Sequence, residues 1–125
     1  MANIEAKVLY CNKELTRKDE AKLIYNQTGY KLDDYLDEHD DLNVMPVLWA
    51  KVHIHNDALE PDRQEYDQHF VMDKDGAVYV TGSAVFWNSF MDINKFMEGS
   101  EEEYGIRIFK AKSKAGNSFI TCEIL

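Results

Sequence analysis

The sequence predicts a mainly β fold with one or two helices, built as a small antiparallel barrel or α+β domain. Three observations carry that prediction. Residues 47–55, "VLWAKVHIH", alternate: Leu48, Ala50, Val52 and Ile54 are apolar, whereas Lys51, His53 and His55 with Trp49 occupy the other phase. Two turn signals, Asp75-Gly76 and the run 113–117, each lie between short apolar segments. Only one long stretch, 84–97, carries apolar residues at helical spacing.

In chain order, "NIEAKVLYC" alternates Ile4, Ala6, Val8 and Tyr10 against Glu5 and Lys7, and reads as a strand. "LTRKDEAKLIYN" admits two readings. Thr16 with Asp19 three residues on fits a helix cap, and "AKLIYN" equally fits a strand before the breaker "QTG". "YKLDDYLDEHDDL" puts Leu32, Tyr35, Leu36 and His39 on one helical face, which predicts a short acidic helix or ordered loop. The strand 47–55 follows, then the polar loop "NDALEPDRQEYD" around Pro61. "QHFVMDKDGAVYVTGS" is a hairpin, "AVFWNSFMDINKFMEG" a helix ended by Gly99, and the remainder a closing hairpin. An OB-like barrel accommodates this order. The length fits one domain over 1–125.

Composition narrows the function classes. No run approaches the roughly 18 apolar residues of a membrane helix, so no membrane role is expected. "MANIEAKVLY" lacks the pattern of a secretory signal. Cys11 and Cys122 form no CxxC pair and read as small strand residues, so the expected location is cytoplasmic, inside a cell. Net charge is −9, which weighs against nucleic-acid binding, since phosphate contacts supply much of that affinity. The bases are nevertheless unevenly spread: Arg107, Lys110, Lys112 and Lys114 cluster near the end.

The non-core phase of 47–55 allows three chemistries. His53-x-His55 with Glu60 resembles the first half of the cupin metal motif, and two imidazoles with a carboxylate suit a transition metal. Val47 stands where that motif needs glycine, and His69 is the sole candidate for its second half, so neither a metal nor another cofactor is expected. Nucleophilic catalysis has no GxSxG turn and no phosphate-cradling loop, which predicts a non-enzyme. Base stacking uses more of the chain. Single-strand binders combine aromatic rings with cations that follow the phosphates. On that reading Trp49 stacks, Lys51 meets phosphate, and His53 and His55 hydrogen-bond or stack. Tyr79 is out of phase with Val78 and Val80 and is free to join Trp49; Arg107 and Phe109 share the phase opposite Ile106 and Ile108; Lys110, Lys112 and Lys114 follow. Phe86 and Trp87 read as core.

Across most of its length the chain resembles the small single-stranded-DNA-binding replication proteins of protein-primed tailed bacteriophages. The resemblance runs through "NI" at 3–4, "AKLIYNQTG" at 21–29, "PVLWAKVHIHND", "DKDGAVY" at 73–79, the helical 84–97 and "FKAKSKAGNSFITCEIL" at 109–125. It implies an OB-like fold that coats displaced strands during phage DNA replication in the host cytoplasm, without sequence specificity, with tyrosines stacking on bases. Tyr79, then Lys112 and Lys114, are the positions it assigns to DNA. Single-stranded DNA is the expected partner, with phage replication proteins beside it, and the chain is expected to be a monomer or weak oligomer. The pattern departs from the family at Trp49 and the histidines, where tyrosine is usual, and in the acidic 33–41 run. Binding by so acidic a chain requires the carboxylates of the first connection and the 57–67 loop to lie away from the Trp49 face. The rival expectations are an acidic DNA mimic that inhibits a host nucleic-acid enzyme, drawn from the −9 charge and "DDYLDEHDD", and a cupin-like metal protein.

Overall fold

A computed structural model describes residues 4–25 and 29–125. Asn3 and the predicted breaker at 27–28 lie outside the described residues. Strand accounts for 44% and helix for 27% of the chain, so the mainly β expectation holds, but there are three α-helices rather than one or two.

Strand β1 (Ile4–Cys11) leads into α1 (Arg17–Ile24). The ambiguous segment is a helix because Thr16 and Asp19 close a reciprocal cap. The Thr16 side chain accepts from the Asp19 N–H at 3.1 Å, and the Asp19 carboxylate accepts from the Thr16 N–H at 3.3 Å. A two-residue strand β2 (Tyr30–Lys31) runs directly into α2 (Leu32–Glu38), which buries Leu32 and Leu36 as its spacing predicts. Then come β3 (Asp41–Val44), β4 (Pro46–Asn56), a 3-10 turn at Pro61–Arg63, β5 (Glu65–Asp73), β6 (Val78–Thr81), α3 (Ala84–Met97), β7 (Ile106–Lys112) and β8 (Ser118–Ile124). Gly76 sits in the β5–β6 turn at φ 92°, a conformation that favours glycine. The Ser83 side chain caps α3 by accepting from the Phe86 N–H.

The strands form two sheets. One has five strands in the order β1-β4-β5-β6-β2, the other three in the order β3-β7-β8. No closed barrel is found among the described residues. Pairing is antiparallel throughout except where β2 joins β6 in parallel.

The alternation of β4 sorts its two faces. Ala50, Val52 and Ile54 join Phe70, Val78 and Leu23 of α1 in one core. The opposite face of the five-stranded sheet contributes Val71 to a second, larger core. That core also takes Leu32 and Leu36 of α2, Phe86, Trp87 and Phe90 of α3, and the inner residues Leu42, Val44, Ile106, Ile108, Ile120 and Cys122 of the smaller sheet. The larger core therefore lies between the two sheets, with α3 alongside β8, where Thr121 Oγ1 meets Ser89 Oγ at 3.2 Å. Phe86 and Trp87 are buried, as their helical phase predicts.

Candidate nucleic-acid interface

Cross-strand register places each expected site residue. Trp49 stands opposite Val71, and Val71 opposite Tyr79, so Trp49 and Tyr79 share one face of the sheet. One row on, Lys51 is opposite His69; beyond it His53 pairs with Asp67 and His55 with Glu65. The histidine–tryptophan row is thus real as a face. Its chemistry differs from the expectation in three respects.

First, Trp49 is a packing residue. Its ring meets the edge of Phe90 with centroids 5.3 Å apart and planes at 81°, and its indole N–H is buried without an acceptor among the described residues. The surface hollows it borders carry Asp92, Glu98, Glu102 and Glu103 against Lys74 and Lys95, a net negative lining that disfavours a phosphate chain. Second, the cations of the row are matched by carboxylates on β5. Lys51 Nζ lies 3.8 Å from Asp67, His53 Nδ1 2.8 Å from Asp67, and His53 Nε2 and His55 Nδ1 each 3.6 Å from Glu65. The acids of 57–67 therefore do not all lie away from the Trp49 face; Glu65 and Asp67 stand beside it. The Asp67 hydrogen bond holds the His53 imidazole above its ordinary pKa, so the charge of a proton bound there is matched by a neighbouring carboxylate and is not free for a phosphate. Third, Arg107 and Phe109 lie on the far side. Ile106 and Ile108 point into the core that Trp49 and Tyr79 pack against, so their alternating neighbours face outward from the smaller sheet. The Arg107 guanidinium stacks over Phe109 at 4.4 Å, as expected, but also donates to Asp41 at 2.7 Å and to Glu123 at 3.1 Å. The three strips do not make one face.

Lys110 is paired with Asp37 of α2. Lys112 and Lys114 are exposed, at the end of β7 and in the β7–β8 turn, and have no ion-pair partner among the described residues.

Tyr79 stands elsewhere than among cations: it belongs to an aromatic group. Parallel pairing of β2 with β6 sets Tyr30 opposite Tyr79, and the two rings stack with centroids 5.5 Å apart at 25°. Tyr35 of α2 meets both edge-on, at 6.1 and 6.3 Å. His39, one turn further, stacks on Tyr35 at 4.1 Å and 12°. Tyr30 is 50% exposed and borders an open hollow of about 420 Å³ with Lys31, Tyr35 and His39, whose lining also includes the carboxylates Asp34 and Glu38. Burial pushes the Tyr79 phenol above its ordinary pKa, so it stays neutral well past neutral pH. The sequence places Tyr35 and His39 on one helical face, yet neither they nor Tyr30 stand out in it as site residues. The four-residue spacing of Tyr35 and His39 was a usable signal; the Tyr30–Tyr79 stack, made across two strands far apart in the chain, had none.

Among the described residues no group of three or more His, Cys, Asp or Glu side chains is arranged to hold a metal ion. His69 is buried flat against Trp87 at 4.8 Å, and burial lowers its pKa. Burial pushes the Cys122 thiol up to about 12, which keeps it protonated and unreactive. No helix among the described residues is long and apolar enough to cross a membrane.

No protein-family model matches the chain, and no curated protein or solved structure is significantly similar to it.

Proposed function

We propose that the chain is a non-enzymatic, non-sequence-specific single-stranded-DNA-binding protein of a phage or prophage, with an OB-like arrangement of its strands, that coats displaced strands during replication. One observation carries the reading: Tyr79, the tyrosine assigned to DNA by resemblance, stacks with Tyr30 at a sheet edge that opens on a hollow lined by Tyr35 and His39 together with Lys31, Asp34 and Glu38, so stacking carries the contact there more than charge does. An exposed ring supported from behind by another ring is a pre-ordered platform for a base, and stacking accepts any base. Lys31 beside it, and Lys112 and Lys114 without acidic partners, are the proposed phosphate contacts. The site is displaced from the Trp49–His55 row toward the β2–β6 edge.

The test is fluorescence anisotropy of labelled oligo(dT) with rising salt. The proposal expects binding at low salt, similar for dT and mixed sequences. Its salt slope should correspond to about two or three phosphates, since each contributes about −0.7 to the slope on a single strand. Absence of binding at low salt would overturn it.

A specific observation favours a second reading. Lys51, Arg107 and Lys110 are each paired with carboxylates, so the acid excess dominates much of the surface. That suits an acidic DNA mimic held by a basic host enzyme. Such a protein binds no oligonucleotide in the same titration and displaces DNA from the enzyme.

A further inference from the structure

α3 turns Phe86, Trp87, Phe90 and Asn94 inward, yet its last turn leaves Phe96 88% exposed. A phenyl ring in water forgoes most of the free energy its burial would supply. Next to it lies a shallow hollow of about 280 Å³, bordered by Asp92, Ile93, Met97 and Ile124 as well as by Phe96. Ile124 is 47% exposed and Leu125 62%, so the apolar surface continues from the helix onto the end of β8.

The patch thus contains both a protruding ring and a recess beside it. A surface carrying both halves of a contact is complementary to its own copy turned through a two-fold axis. A docked foreign peptide would use the recess and leave the ring unexplained. The charges have the same symmetry. Asp92 and Lys95, four and one residues before Phe96, lie to one side of it on the helix, and neither has an ion-pair partner among the described residues. When two copies of α3 cross antiparallel, Lys95 of one faces Asp92 of the other.

We propose that the C-terminal turn of α3 with Ile124 is a self-association face, at which each Phe96 fills the hollow of a second copy. The patch is smaller than the roughly 1,000 Å² of a stable interface, so the dimer is a weak one. It shares no residue with the Tyr30–Tyr79 site and does not depend on DNA binding.

Sedimentation equilibrium from low to several hundred micromolar protein, at physiological salt to screen the net charge of −9 on each copy, provides the test. The wild-type mean mass should rise from monomer toward dimer. Phe96→Glu should weaken association at least tenfold with an unchanged circular dichroism spectrum, because the side chain touches little within its own chain. Asp92→Lys and Lys95→Asp should each weaken it, and the two together should restore it. A wild-type monomer throughout, an unaffected Phe96→Glu dimer, or a double swap that fails to restore association overturns the proposal.

Discussion

Tyr30→Ala and Trp49→Ala separate the two surfaces on which a base could stack, because the proposed site predicts opposite phenotypes for them. Tyr30 is half exposed and supported on one side by Tyr79. Truncating it removes the outer ring of the platform, and one stacked base is worth about 1–3 kcal/mol. At 1.4 kcal/mol per tenfold, the dissociation constant for oligo(dT) should rise about 5- to 140-fold. The fold should lose only the ring–ring contact, about 1 kcal/mol. Trp49 is the converse. Its ring packs edge-on against Phe90 at the border of the larger core, and its indole N–H is already buried. Trp49→Ala should cost up to about 3 kcal/mol of stability, the low end for a fully buried ring. Affinity per folded molecule should change less than twofold. Urea unfolding supplies the stability and anisotropy titration the affinity, both on the same preparations. Unchanged binding in Tyr30→Ala alongside lost binding in folded Trp49→Ala would refute the assignment and return the site to the central strand.

Two further outcomes follow from geometry and charge. His53 and His69 oppose one another in their effect of pH on stability. His53, raised by Asp67 and Glu65, stabilises below about pH 6.5 and ceases to as pH climbs through its raised value; His69, lowered by burial with Lys51 nearby, stabilises above about pH 6.5 and ceases to as pH falls through its lowered value. Relative to wild type, His69→Gln should therefore gain urea resistance as pH drops from 8 to about 5, and His53→Gln should lose it; differences that stay flat with pH in both variants would refute the linkage. Gly105→Ala should destabilise by about 1–3 kcal/mol in thermal unfolding, because an added Cβ would sit 2.6 Å from Met45 Sδ and 3.2 Å from the Val44 carbonyl oxygen; an unchanged midpoint would show that the strand gives way.

Much of the fold was legible because its signals are local. The two-residue period of 47–55, the helical period of 84–97, and the Asp75-Gly76 turn each reflect a choice made within a dozen residues. Thr16 and Asp19 held the answer for the ambiguous segment: a reciprocal cap outweighs the β-compatible run "AKLIY". What escaped notice is long-range. Asp67 and Glu65 reach Lys51 and the histidines only through the β4–β5 register, and Asp41 reaches Arg107 only because β3 pairs with β7. Residues read as free cations are therefore half of ion pairs whose other half lies on another strand. The separation of the strands into two sheets was equally invisible, since alternation reports which residues face inward but not toward which partner.

The parallel pair between β2 and β6 bears on how the proposed site behaves. Among the described residues the ladder at that edge is Tyr30 and Lys31 alone, far shorter than the β4–β5 pairing, while the buried Leu32 and Leu36 of α2 anchor the segment that follows. The ring platform thus stands on the shortest ladder among the described strands, with α2 packed beneath it. A strand of DNA stacked there would act as the missing neighbour of this fringe, fastening Tyr30 in place and drawing β2 into the stable body of the protein.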